Sequence, residues 1–201
     1  MARLKRPAAQ PPPRERILLA ARELFYRDGI NAVTVEAIAA AAGTNKMTLY
    51  RHFSSKDELV AASLSQLAEQ AESLWDVART AHPKDALAQL RFMLKRASQF
   101  ADEHSGRGCA LANAAVELAE PRHPARRVIE AHKRRQREQL EALVREAGYV
   151  KPDRVADELF LLVEGARVCL QSVGREGPGS RLYALAEALL ASAPRKKAAK
   201  A

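Results

Sequence analysis

Apolar positions recur at helical spacing along almost the whole chain. Ile17, Ala20, Ala21, Leu24 and Phe25 form one stripe over 14–28, and Gly29 supplies a left-handed stop after it. Short helices are predicted over 34–42, closed by Gly43, and over 45–52. Ser55, Lys56, Asp57 and Glu58 have the form of a capping box, in which Ser55 and Glu58 satisfy each other's backbone donors. It opens a longer helix reaching about Thr80, beyond which His82-Pro83 breaks the pattern. Further helices are predicted over 84–103, 109–120, 125–147, 152–173 and 181–193. They are separated by Gly106 and Gly108, by Pro121 and Pro124, by Gly148, and by the loop holding Gly174, Gly177, Pro178 and Gly179. The result is an all-α chain of nine helices with no convincing strand and no internal repeat.

This pattern divides the 201 residues into four parts. A basic, proline-rich arm over 1–13 precedes a three-helix module over 14–62; a larger helical body over 63–194 ends in a basic tail over 195–201. Arm and tail are expected to be disordered. Abundant alanine and only 5% aromatic residues agree with helices. The net charge of +9 is concentrated at the ends. Residues 1–62 carry 10 Lys/Arg against 6 Asp/Glu, while residues 63–194 carry 19 against 18. A basic module on a neutral body suits a polyanion partner, although basic termini also serve solubility alone. No window is apolar enough to span a membrane, and no signal-type segment follows the basic start, so a cytoplasmic protein is expected. Cys109 and Cys169 stand far apart and form no disulfide framework.

The segment from Thr34 to Phe53 reads as a helix-turn-helix. Thr34 can cap the first helix, and Glu36 sits in its first turn, where the helix dipole favours an anion. Ile38 and Ala42 point to one side, and the small Ala39 lets a second helix cross closely. Gly43 allows the positive φ of a tight turn. Asn45 is a good cap for the second helix, which Leu49 and Phe53 anchor. Lys46, Met47, Thr48, Tyr50, Arg51 and His52 are left facing outward. Such a face suits a major groove, with the first residues of the helix at base edges and flanking groups on phosphates. A helical hairpin with a solvated polar face would show the same pattern.

Residues 14 to about 62 resemble the DNA-binding domain of the TetR family of repressors, with an AcrR-like helix-turn-helix. The shared pattern is Leu24-Phe25-Tyr26-Arg27-Asp28-Gly29, Thr34, Ile38-Ala39, Ala42-Gly43, Leu49-Tyr50, His52-Phe53 and Ser55-Lys56-Asp57-Glu58-Leu59. The resemblance implies an all-helical homodimer that binds double-stranded operator DNA and takes a small-molecule effector in its C-terminal domain. It implies that Thr34 and Lys56 contact phosphates, that Tyr50 and His52 lie against the backbone, and that Thr44, Asn45, Lys46, Met47 and Thr48 face bases or phosphates. Two positions depart from the family pattern, which usually has a small residue at Met47 and often serine at Asn45. Met47 cannot hydrogen-bond a base edge but could pack on a thymine methyl. Arg3, Lys5 and Arg6 of the arm could follow the minor groove or remain solvated.

The last two predicted helices carry apolar stripes. Val155, Leu159, Leu162 and Ala166, continued by Cys169 or Leu170, form one; Leu182, Ala186, Leu189 and Leu190 form the other. Each could be intramolecular core, while the resemblance implies a four-helix dimer interface. A Gly108-Cys109 pair starting a helix with Asn113 and Glu117 resembles a recurrent C-terminal type in that family. Asn113 and Glu117 share a face, as fixtures of an effector pocket, an exposed face or a buried polar pair. Trp75, Phe92, Leu94, Phe100, Leu111, Phe160 and Val163 are further candidates for lining or core. Cys109, at a predicted helix start, is a candidate redox or electrophile sensor. His104, Cys109 and His123 are too loosely spaced for zinc. The run from His132 to Arg137 reads as a solvated surface.

No GxSxG, phosphate loop, nucleotide fingerprint or HExxH occurs, so neither an enzyme nor a cofactor is expected. A helical ligand-binding or scaffold protein without DNA binding remains the rival, with Met47 as its one hint. The repressor reading carries a mechanism: an effector favours a state whose recognition helices no longer match successive grooves, with the helix over 55–80 as lever.

Overall fold

The computed structural model describes residues 10–103 and 107–196, and of residues 100–103 the backbone alone. Nine α-helices stand among the described residues: α1 Pro13–Asp28, α2 Val35–Ala41, α3 Lys46–His52, α4 Lys56–Ala81, α5 Ala86–Glu103, α6 Ala110–Glu117, α7 Pro124–Glu146, α8 Pro152–Val173 and α9 Leu182–Ser192. The all-α expectation holds, with most ends within two residues of the periodicity. α6 stops three residues early, because Leu118 leaves helical geometry ahead of Pro121. The glycine-rich loop after α8 contains a 3-10 turn, Pro178–Arg181.

Side chains gather into two cores. The first holds Ile17, Leu18, Ala21, Ile38, Leu49, Phe53 and Leu59, and continues into Leu111 and Ala114 of α6 and Ala125 and Ile129 of α7. The second holds Trp75, Leu90, Leu94, Leu140, Val144, Leu159, Val163, Leu182 and Leu190. α4 contributes to both, through Leu59 and Val60 to one and Trp75 to the other. The small N-terminal bundle therefore leans on α6 and the head of α7 as well as on α4.

α7 runs the length of the body. At its start His123 caps the helix, its Nδ1 accepting from Ala125 N at 3.1 Å, while its Nε2 lies 3.4 Å from Asp57 Oδ1 at the head of α4. At its far end residues 194–196 are clasped. Val150 N donates to Pro194 O at 3.0 Å and Lys196 N to Gly148 O at 2.8 Å. The Arg195 guanidinium donates to Ala147 O at 3.0 and 2.6 Å and lies over the Tyr149 ring. Arg195 and Lys196, expected to begin a disordered tail, are thus fastened by directional bonds; the remainder of that tail and residues 1–9 of the arm lie outside the described residues, while Pro13, the arm's last residue, already opens α1.

Candidate nucleic-acid interface

Local chemistry builds the helix-turn-helix as the sequence suggests. Thr34 caps α2, its hydroxyl accepting from Ala37 N at 3.2 Å. Gly43, at φ +60°, turns the chain between α2 and α3. The Asn45 side chain caps α3 by accepting from Thr48 N at 2.8 Å. Ile38, Ala39, Ala42, Leu49 and Phe53 are buried and fix α3 against α1 and α2. Ser55 caps α4 by accepting from Glu58 N at 3.1 Å. Glu58 does not return the bond to Ser55: it reaches one residue further, accepting from Ser54 N at 2.7 Å and Ser54 Oγ at 2.6 Å. The box expected over 55–58 is widened by one residue, because the Ser54 hydroxyl offers a second donor.

α3 presents its outer face to solvent. Asn45, Lys46, Met47, Tyr50, Arg51 and His52 are exposed, with Met47 at 70% the most prominent apolar side chain on this helix. Thr44, Thr48 and Lys56 are half-buried at its edges, and Thr34 is exposed at the head of α2. The ten residues assigned to DNA contact therefore sit together around one short helix. Lys46 Nζ pairs with Glu36 Oε1 at 2.6 Å and lies over the Tyr50 ring. That hydrogen bond holds the Glu36 carboxyl below, and the Lys46 ammonium above, their ordinary values. The pair is fully exposed, so a phosphate can displace Glu36 with little loss. Arg14 stacks its guanidinium over Phe53, tying the start of α1 to the end of α3.

The body places its candidate residues less uniformly. Of the stripe assigned to dimerisation, Val155, Leu159, Ala166, Leu182 and Ala186 are buried within the monomer. Leu162 and Leu189 are half-buried and border an open apolar groove with Leu161, Gly165, Cys169 and Leu185. The strongly exposed apolar residues of α8 are Leu161 at 69%, Val173 at 63% and Val168 at 58%, and of these Leu161 borders the groove. Sequence periodicity missed them because α8 is apolar on two faces; the doublet Leu161-Leu162 was the available sign.

The residues assigned to an effector pocket do not converge on one cavity among the described residues. Trp75 and Val163 are packed in the second core, and Phe92 meets His82 edge-on at 5.9 Å. Phe100 lies outside the described side chains. Asn113 and Glu117 face the N-terminal module instead, lining a narrow cavity with Arg22, Tyr26 and Leu64. Cys109 is buried beside α7, where Lys133 Nζ lies 3.9 Å from its Sγ and 5.9 Å from the Phe160 ring centroid.

Lys133 marks a polar interior that periodicity did not reveal. The run from His132 to Arg137 is not a solvated surface: His132 and Lys133 turn inward, while Arg134 and Arg135 remain exposed. Lys133 Nζ and Arg167 Nη1 hold the two oxygens of Glu164 at 2.7 and 2.6 Å. Burial disfavours ionisation of Glu164, but the two cations outweigh it and hold its carboxyl below the ordinary range. Burial pushes the His132 imidazole down, and Lys133 adds to this. Glu72 Oε2 accepts from Arg135 at 2.7 Å and from Gln139 at 2.9 Å, while His132 Nδ1 stands 4.0 Å from Glu72 Oε1. Among the described residues no hydrogen-bond partner reaches buried Glu72 Oε1, His132 Nδ1, Gln136 Oε1, Gln139 Oε1 or Arg167 Nε. No group of His, Cys, Asp and Glu among the described residues could hold a metal ion.

An all-helical chain that offers a short, cation-bearing helix from a glycine-turned helix pair is, by architecture, a helix-turn-helix regulator of transcription. Comparison with known proteins agrees. The profile of the bacterial regulatory proteins, tetR family, matches residues 17–71. A putative TetR transcriptional regulator, sav143 from Streptomyces avermitilis, superposes with a TM-score of 0.75 at 30% identity, over 92% of this chain and 100% of its own. SCO4454, a TetR-family regulator from Streptomyces coelicolor, gives a TM-score of 0.80 at 29% identity over 89% and 94% of the two chains. The HTH-type transcriptional regulator UidR of Escherichia coli is 34% identical over 84 residues, which are 42% of this chain but only 40% of UidR. The chain belongs to the TetR family, whose members are regulators of transcription and not enzymes. No described helix is long and apolar enough to cross a membrane.

Proposed function

We propose that this protein represses transcription as a cytoplasmic homodimer on a palindromic operator and is released by a small-molecule effector. The observation that carries the DNA part is α3, held by its caps and by buried Leu49 and Phe53, with Lys46, Met47, Tyr50, Arg51 and His52 outward. Thr34, Tyr50, His52 and Lys56 hold phosphates; Thr44, Asn45, Lys46, Met47 and Thr48 lie nearest the bases. Met47 supplies apolar contact, and the thymine methyl is the matching feature of the major groove. One such helix offers too few contacts for specificity, so two copies read two half-sites. The groove between α8 and α9, with Leu161, Leu162, Leu185 and Leu189, is the face that supports pairing. A protein seated on a promoter blocks it, and the effector weakens that seat by preferring a state with mismatched helices.

The polar interior between α4, α7 and α8 supports an effector carrying both donors and acceptors. Glu72 Oε1, Gln136 Oε1 and Gln139 Oε1 call for donors, Arg167 Nε for an acceptor, and Phe160 offers an apolar wall. The test is selection of duplexes from a random pool by the full-length protein. A palindrome should emerge, and Lys46→Ala and Tyr50→Ala should each weaken it roughly tenfold, equivalent to about 1.4 kcal/mol. Selection without enrichment, or wild-type binding by both variants, would overturn the reading.

A further inference from the structure

The turn that leads into the helix-turn-helix is gripped from the body. Glu117, the last residue of α6, accepts hydrogen bonds from Ile30 N at 2.6 Å and Asn31 N at 3.3 Å. Its backbone oxygen accepts from Asn31 Nδ2 at 3.3 Å. Gly29 beside it has φ +90°, and a Cβ there would lie 3.2 Å from the Glu117 carboxylate. The grip closes at the other end of α6. The Tyr26 hydroxyl donates to Gly108 O at 3.2 Å, and the Arg107 guanidinium donates to Arg27 O in the last turn of α1.

The same loop is joined to α8. Arg107 O accepts from Asn113 Nδ2 at 2.6 Å and from Gln171 Nε2, and Gln171 Nε2 also donates to Asn113 Oδ1 at 2.8 Å. A line of hydrogen bonds thus runs from α8 through α6 to residues 30–31, three positions ahead of Thr34. The surrounding contacts of α1, α4 and α6 are mostly apolar, through Phe25, Leu64, Leu67 and Ala114, with one exposed polar tie, Arg22 Nη2 donating to Gln70 Oε1 at 2.8 Å. Apolar contact is non-directional and permits sliding. A carboxylate on backbone N–H groups is short and directional.

We propose that Glu117 is a positioning residue for DNA binding. Its carboxylate sets the angle of the helix-turn-helix on the body, and Gln171 and Asn113 pass displacements of α8 to that angle through Arg107. The role rests on the DNA-binding reading above, but the angle can be measured without DNA.

Residual dipolar couplings on the deuterated full-length protein make that measurement, using amides of α1–α3 as one group and of α7–α8 as another. One alignment tensor should fit both groups in the wild type. Glu117→Ala should require two. Glu117→Gln, whose amide oxygen still accepts, should return to one. Against the duplex recovered by selection, Glu117→Ala should bind about tenfold more weakly, with its affinity for a scrambled duplex within about twofold of wild type. A single tensor in a folded Glu117→Ala variant would overturn the proposal. If that variant lost its helical circular dichroism, Gln171→Ala decides instead. It touches neither Ile30 nor Asn31, yet should shift both amide resonances; unmoved resonances would reject the coupling. Failure of selection would remove the DNA-binding reading while the tensors still decide the angle.

Discussion

At Gly43 the backbone, not the surroundings, demands glycine. A Cβ there would meet nothing within 4 Å, yet φ is +60°. Gly43→Asn should be nearly neutral, since asparagine tolerates this region, whereas Gly43→Val should destabilise by about 1–2 kcal/mol in chemical denaturation. Equal losses in the two variants would show that space, not conformation, is the constraint. Two residues on, Asn45→Ala removes the cap of α3 and should lower stability by about 1 kcal/mol. Met47 is different: it supports nothing in the fold and stands out in solvent. Met47→Ala should leave the denaturation midpoint unchanged while relaxing the preference for thymine in a reselected duplex. An unchanged duplex would mean that Met47 does not touch a base.

Which segments are helical was legible from spacing, caps and the Gly/Pro breaks; which way each helix faces was legible only in part. In α1 to α3 a single apolar stripe meets one small core, so Ile17, Ile38, Leu49 and Phe53 announce their own burial. α8 has two apolar sides, and the side packed on α7 and α9 wins Val155 and Leu159, leaving Leu161 and Val168 outward. Charge misled on α7. Lys133 looks like a surface residue until Glu164, 31 positions later, is seen to meet it. The pairing of α7 with α8 has a pH signature. Burial lowers the pKa of the His132 ring in the folded state and so favours its neutral form, whereas the unfolded ring takes a proton near its ordinary pKa of 6.5. Stability should therefore fall as pH drops through about 6.5. Glu164, held below its ordinary range, adds stability that is lost at lower pH, as its carboxyl gains a proton. Thermal melts of His132→Gln should flatten the upper part of this decline; the wild-type slope in that variant would dismiss His132 as its cause.

The proposed repressor would work through two surfaces, the cationic face of α3 and the apolar face of α8 and α9. The proposed homodimer predicts that the wild type sediments as a dimer, and that replacing Leu161 and Val168 together by Glu gives a folded monomer and abolishes binding to a palindrome at nanomolar protein. A dimer surviving this change would place the interface elsewhere. Operator affinity should also fall steeply with salt, each phosphate contact adding roughly 0.9 to the logarithmic slope. The clasp at Arg195 and Lys196 bears on how such measurements are made. α7 has 23 residues, so its far end lies roughly 34 Å from the end that meets the head of α4. Arg195 and Lys196 are therefore moored at the pole opposite the recognition helix. A sensor chip or optical-trap handle attached at the exposed Lys196 would hold the protein by its heel and leave the outer face of α3 open.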